Sequence, residues 1–153
     1  MPRPFKVLFL CTGNSARSIL AEFLLREMAP ERFEVFSAGA QPTGVVNPLA
    51  TKVLAECFGI DASSARSKSW EEFKDVAFDL VITVCDNARE SCPIWPGRPA
   101  IAHWSSEDPV SEQTFLRVAL QIQQRLTLLC ALPLEKLERQ RLEQATQEIG
   151  TLG

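Results

Sequence analysis

The sequence has a single histidine, His103, no tyrosine, and no Cys-x-x-Cys pair among its five cysteines. Zinc sites need cysteine and histidine ligands at short spacing, so we expect no metal site. A lone histidine also lacks the companions of a Ser/His dyad, and we predict a structural role for His103. No apolar run reaches the roughly eighteen residues that cross a bilayer, so we expect no membrane partner.

The charged residues of the sequence also do not form clusters of one sign. Sixteen Lys and Arg against nineteen Asp and Glu give a net charge of -3, without the basic stripe that nucleic-acid binding requires. No signal-peptide pattern precedes the first apolar run, and an odd number of cysteines cannot pair completely. We therefore expect a cytoplasmic monomer with free thiols and no nucleic-acid partner.

Short apolar runs alternate with segments of helical spacing along the 153 residues. This alternation predicts an α/β fold: a single domain with a four-stranded parallel sheet and helices on both faces. We assign residues 1–132 to the catalytic domain and residues 133–153 to a weakly held polar tail, helical or frayed. The predicted strands are 6–11, 34–37, 79–84 and 100–103, and the predicted helices are 18–28, 48–58 and 110–130.

Reactive side chains fall where predicted strands end. Cys11 and Cys85 follow two of them, and Asp108 lies a few residues past a third. Because ligands of parallel sheets bind outside the carboxyl ends of the strands, we expect these three side chains to share one edge.

Cys11 and Arg17 are separated by five small or polar residues between a predicted strand and a predicted helix. Such a loop can turn its amide groups inward around an anion, with the helix dipole behind it, and Gly13 permits unusual backbone angles there. Arg17 can bind two oxygens, Ser18 can donate to the Cys11 sulfur, and the positive field should lower the pKa of Cys11. The predicted oxyanion-binding residues are Thr12, Gly13, Asn14, Ser15, Ala16 and Arg17.

Each feature also has a plainer interpretation. The loop could be a strand-to-helix turn around a buried cysteine, and Asp108-Pro109 an exposed turn. Cys85 and Cys92 could be small core side chains. We interpret the remaining cysteines and the tryptophans as bystanders or packing residues: Cys57, Cys130, Trp70, Trp95 and Trp104.

The segment from Val7 to Glu22, VLFLCTGNSARSILAE, resembles the signature of the low-molecular-weight protein tyrosine phosphatase superfamily, and more closely its arsenate reductase branch. The resemblance covers about residues 5 to 130. Further matching motifs are Ser37-Ala-Gly39, Asn47-Pro48, Gly59-Ile-Asp61, the strand ending at Cys85, Cys92-Pro93, His103-Trp104 and Asp108-Pro109.

This resemblance implies a three-cysteine reduction of arsenate, with Arg17 and Ser18 assisting. Cys11 attacks arsenate while Asp108 protonates the departing hydroxyl, Cys85 then attacks Cys11, and Cys92 resolves the disulfide. It also implies no bound cofactor, and an external reductant that is thioredoxin, or glutaredoxin with a small thiol. On an intact helix Cys85 and Cys92 would lie about 10 Å apart, so their pairing would require the segment between them to unwind.

Relatives that bind potassium surround the ion with asparagine, glutamate, serine and aspartate. Asn14, Glu22 and Ser37 match three of these, whereas Lys68 stands in place of the aspartate. The resemblance therefore implies a vestigial cation site in which the Lys68 ammonium replaces potassium.

Two other functions share part of this site. A phosphatase for phosphoesters needs only Cys11, Arg17 and Asp108, and arsenate reduction could coexist with residual phosphatase activity. A non-catalytic oxyanion sensor is a third reading. Phosphatases of this type follow the Asp-Pro pair with an aromatic residue, but Val110 stands here, which favours arsenate or a phosphate-like inorganic anion.

Overall fold

The computed structural model describes residues 3–85 and 92–152. The strands are β1 (Phe5–Cys11), β2 (Phe33–Gly39), β3 (Leu80–Thr83) and β4 (Ala100–His103). The helices are α1 (Arg17–Met28), α2 (Pro48–Phe58), α3 (Glu112–Cys130) and α4 (Arg139–Gly150), with short 3-10 helices at Trp70–Phe73 and Leu134–Lys136. In these two ranges no helix has the apolar length that crossing a membrane requires.

The four strands form one parallel sheet in the order β2-β1-β3-β4. In the two central strands, Val7–Cys11 and Leu80–Thr83 are buried throughout. Neighbouring residues of a strand point to opposite faces, so both faces of the sheet are covered. The predicted single-domain α/β fold, with a four-stranded parallel sheet and helices on both faces, is confirmed.

Local signals explain where the helices begin and end. Asn47 accepts a hydrogen bond from the amide of Leu49 at 2.9 Å at the start of α2, and Gly59 follows its last residue as the C-cap. Helix α3 begins at Glu112, two residues later than predicted, because Ser111 and Thr114 form a capping box. The capping residues that begin and end these helices can therefore be identified from the sequence.

The C-terminal residues differ from the expected weakly held tail. Helix α4 packs along the edge strand β4 and buries three side chains that share one face, Leu142, Thr146 and Ile149. Two of its polar side chains accept hydrogen bonds from strand amides: Glu143 from Ile101 at 2.9 Å and Gln147 from His103 at 2.8 Å.

A polar helix can thus cover a sheet edge because its side chains satisfy the amides that a neighbouring strand would otherwise bond. The indole nitrogen of Trp104 also donates to the carbonyl of Thr146 at 2.8 Å. Low hydrophobicity concealed this packing from the sequence analysis. The division of the chain at residue 132 stays a prediction.

Gly150 provides a test of this packing. A Cβ atom added there would lie 2.4 Å from the carbonyl oxygen of His103 and 2.7 Å from Trp104. We expect Gly150→Ala to lower the free energy of unfolding by about 1–3 kcal/mol, because helix and strand must separate to admit the methyl group. Urea unfolding measures this. Gln144→Ala on the exposed face of α4 is the control, and equal stability of the two variants would contradict the close approach.

Candidate active site

The loop between β1 and α1 is held by its carbonyl groups. The carbonyls of Cys11, Thr12 and Gly13 accept hydrogen bonds from the amides of residues 40, 41 and 43, at 2.9, 2.9 and 3.0 Å. The carbonyl of Ser15 accepts from the amide of Asn47 at 2.9 Å. Four of the loop's peptide carbonyls are therefore pinned to the segment 40–47.

This pinning orients the amides on the other side of the loop. In a trans peptide the N–H points opposite to the preceding C=O, so the amides of residues 12, 13, 14 and 16 point inward. Helix α1 adds its own N-terminal amides, since Ala16 provides no side-chain cap and the first turn has no acidic residue. The arrangement suits a tetrahedral oxyanion.

The unusual backbone angle falls on a different residue from the one predicted. Asn14, and not Gly13, has a positive φ, of 48°, a conformation that asparagine tolerates better than most residues. A glycine is required instead at the end of β2, where a Cβ on Gly39 would lie 2.6 Å from the carbonyl oxygen of Thr12. The loop therefore packs directly against the end of the neighbouring strand.

Cys11 is buried, and its sulfur lies 2.9 Å from the hydroxyl of Ser18 and accepts from the amide of Asn14 at 3.1 Å. Burial raises the pKa of the Cys11 thiol, while the contacts with Ser18 and Asn14 oppose that rise. The expectation that the loop lowers this pKa is wrong, because desolvation outweighs the hydrogen bonds.

Arg17 links the loop to the segment that carries Asp108. Its guanidinium donates to the carbonyl of Ser106 at 3.0 Å and lies 3.7 Å from the carboxylate of Asp108. The Arg17 side chain is only 18% exposed, whereas that of Asp108 is 77% exposed. Asp108 thus stands at the solvent side of the loop, beside the arginine.

Cys85 lies beside the loop, because β1 and β3 are neighbours and end at the same edge of the sheet. Its buried sulfur is 3.2 Å from the hydroxyl of Thr12. Cys92 is half-buried. The segment 86–91, on which the expected unwinding depends, lies outside the described residues.

Beneath the loop, the four residues of the predicted cation site do come together. The Lys68 ammonium donates to Ser37 at 3.1 Å and to Asn14 at 3.4 Å, and lies 3.7 Å from the carboxylate of Glu22. Burial lowers the pKa of Lys68, and Glu22 opposes this. Asn14 in turn donates to the hydroxyl of Ser18 at 2.7 Å, so polar contacts run from the buried ion pair to the Cys11 sulfur.

Arg125 is a residue that the sequence analysis missed. It is buried and donates to the carbonyl of Ser105 at 2.8 Å and to that of Leu152 at 3.3 Å. It therefore supports the segment that leads to Asp108. The signal was present, because Arg125 interrupts the apolar face of α3 between Ile122 and Leu126.

The other singled-out residues lie away from the Cys11 sulfur or serve packing. Cys57 is exposed and Cys130 half-buried, and neither is disulfide-bonded. The imidazole Nδ1 of His103 lies 2.7 Å from the hydroxyl of Thr83. Within residues 3–85 and 92–152, no group of three acidic, cysteine or histidine side chains could hold a metal ion.

Comparison with known proteins identifies the family. Residues 6–144 match the family model described as low molecular weight phosphotyrosine protein phosphatase. The chain belongs to this family. The resemblance carried by the motifs is thereby confirmed, and the match to the phosphatase family extends past residue 130, where the motif resemblance ended.

Relatives of the chain include proteins named arsenate reductase. That of Halalkalibacterium halodurans is 37% identical over 107 residues, 70% of this chain and 76% of the relative. A structure described as an arsenate reductase in the phosphate binding state has a TM-score of 0.74 at 32% identity, covering 83% of this chain and 97% of the other. A thioredoxin-dependent arsenate reductase of Corynebacterium glutamicum has a TM-score of 0.67 at 32% identity, covering 85% and 62%.

The contact between Ser18 and Cys11 predicts the pH dependence of thiol reactivity. Ser18→Ala removes a donor to the thiolate, so the pKa of Cys11 should rise further and alkylation at neutral pH should slow by roughly threefold to tenfold. Iodoacetamide labelling of Cys11, followed by mass spectrometry across pH, measures this. Ser64→Ala, at an exposed position, is the control. An unchanged Cys11 profile in Ser18→Ala would show that the hydroxyl does not stabilise the thiolate.

Proposed function

We propose that the chain reduces arsenate to arsenite by attack of Cys11 and a disulfide relay through Cys85 and Cys92. The observation that carries the proposal is a second thiol at the oxyanion loop, since Thr12 holds the Cys85 sulfur at 3.2 Å. A phosphatase has no use for that thiol. The arsenate reductases among the relatives, one of them in a phosphate binding state, support the same substrate class.

In the first step arsenate lies in the loop, held by the inward amides and by Arg17. The Cys11 sulfur attacks arsenic and an S–As bond forms. An arsenate hydroxyl leaves as water after Asp108 protonates it. The Cys11 thiol passes its proton to the bound arsenate before the attack, and Ser18 stabilises the sulfur anion at 2.9 Å. The positions of these groups make the attack intramolecular once the anion is bound.

The next two steps are thiol exchanges. Cys85 attacks the Cys11 sulfur, a Cys11–Cys85 bond forms, and the electron pair of the S–As bond reduces arsenic, which leaves as arsenite. Cys92 then attacks the Cys85 sulfur, and Cys11 departs as a thiolate. The Cys85–Cys92 disulfide is reduced by an external dithiol protein of the thioredoxin type, as the thioredoxin-dependent neighbour suggests.

The relay is tested by arsenate-dependent NADPH consumption with thioredoxin and its reductase. We expect Cys85→Ser and Cys92→Ser each to lose roughly a hundredfold or more of turnover, because an essential nucleophile is removed. Cys57→Ser and Cys130→Ser serve as controls that keep their activity. Full turnover in either relay variant would refute the three-cysteine cycle. Activity only with glutaredoxin and a small thiol would show that these, and not thioredoxin, are the reductant.

A phosphatase is the second candidate, because the family model itself describes one and the needed groups, Cys11, Arg17 and Asp108, lie together. Efficient aryl phosphate hydrolysis that persists in Cys85→Ser and Cys92→Ser, without arsenate turnover, would favour it. Binding of arsenate or phosphate with no turnover of either substrate would instead indicate a sensor.

We further propose that Lys68 takes the place of a monovalent cation under the loop. Its ammonium contacts Ser37, Asn14 and the carbonyl of Arg66 at 3.0 Å, and lies beside Glu22. An internal ammonium at this position supplies the positive charge that potassium supplies in relatives that bind it. We therefore expect no second cation beside Glu22.

Exchanging potassium chloride for choline chloride at equal ionic strength should therefore leave both turnover and melting temperature unchanged. Lys68→Met should lower the free energy of unfolding by about 1–3 kcal/mol, because it removes the hydrogen bonds of the ammonium to Ser37 and Asn14 while Arg26 still pairs with Glu22 at 2.6 Å. Thermal unfolding and steady-state kinetics measure both effects. Potassium-dependent turnover or stability in the unaltered protein would refute the substitution.

A further inference from the structure

Trp95 follows Cys92 by three residues and is fixed by aromatic packing. Only 4% of the residue is exposed. Its ring meets Phe78 edge to face at 5.4 Å and 86°, and Trp70 at 5.7 Å and 81°. Phe78 packs in turn against Phe36 of β2 at 5.2 Å. The indole is therefore anchored to the sheet, and its orientation is set by its neighbours.

The indole N–H of Trp95 is buried and makes no hydrogen bond of ordinary length and angle with the described residues. The other deeply buried indole, that of Trp104, donates to a carbonyl at 2.8 Å. Native proteins seldom bury a donor without a partner, because it loses its bonds to water and gains none. Such a donor is available to an acceptor that comes within hydrogen-bond distance of it.

Cys92 is half-buried and precedes Trp95 by three residues, on the same short segment of chain. Burial raises the pKa of the half-buried Cys92 thiol, and the Trp95 indole opposes that rise. A thiolate accepts hydrogen bonds more strongly than a thiol. Ionisation of Cys92 would therefore give the indole N–H the acceptor that it lacks.

We propose that Trp95 is a positioning residue for Cys92, whose thiolate accepts a hydrogen bond from the indole N–H. This inference rests on the proposed relay. In that relay Cys92 passes its proton to water and attacks the Cys85 sulfur, so that the Cys85–Cys92 bond forms and the Cys11–Cys85 bond breaks. Cys11 leaves as a thiolate. The indole stabilises the attacking anion and keeps it in a fixed direction.

Trp95→Phe tests the proposal, because it keeps an aromatic ring and removes only the donor and part of the ring area. Trp70→Phe, in the same aromatic cluster but with no part in the contact, is the matched control. Site-resolved iodoacetamide labelling across pH should show the Cys92 midpoint moving to higher pH only in Trp95→Phe. At neutral pH its labelling should slow by roughly threefold or more.

Single-turnover kinetics should place the defect in one step. Arsenite release should be unchanged in Trp95→Phe, whereas formation of the Cys85–Cys92 disulfide should slow and recover as the pH is raised. Loss of packing alone would not be rescued by pH. A Cys92 profile and a resolving step equal to those of Trp70→Phe would overturn the proposal.

A measurement on the unaltered protein covers the case in which Trp95→Phe does not fold. The indole N–H resonance of Trp95 should move on deprotonation of Cys92, and should stay constant over the same pH range in Cys92→Ala. An indole N–H resonance that does not shift when Cys92 is deprotonated would refute the contact. A responsive resonance in a protein whose arsenate turnover does not need Cys92 would refute the relay and leave the contact in place.

Discussion

The outward pinning of the loop carbonyls is the constraint on which the site depends. The carbonyls of residues 11, 12, 13 and 15 bond to the segment 40–47. Because each peptide is planar and trans, the amides that follow these carbonyls must point to the opposite side. The inward amides make the loop electropositive without a cluster of basic side chains. This is how a chain of net charge -3 can provide an anion site.

The polar contacts beneath the loop show how that arrangement is kept rigid. Asn14 lies at the centre, since it holds the positive φ, donates to Ser18 and Ser37, and accepts from Lys68. A buried ion pair is a weak source of stability, but it specifies one arrangement of its neighbours well. The Lys68–Glu22 pair thus defines the position of the residues that contact the Cys11 sulfur.

Different elements carry the groups of the site to the edge of the sheet. Strand β3 brings Cys85 to the loop, while α4 covers β4 and, with Arg125, supports the segment that ends at Asp108. Thiol, oxyanion loop and carboxylate are therefore carried by three separate parts of the chain. Their meeting depends on the parallel order of the strands rather than on any local motif.

The sequence by itself determined the order of strands and helices, the Cys11 to Arg17 loop and the family, because apolar periodicity, capping residues and close motif spacing are local properties of the chain. It could not determine the raised pKa of Cys11, the packing of α4 or the unpaired indole of Trp95. Those features depend on burial and on contacts between residues far apart in the chain. Only the tertiary structure decides them, because desolvation and hydrogen-bond satisfaction are properties of the packed molecule.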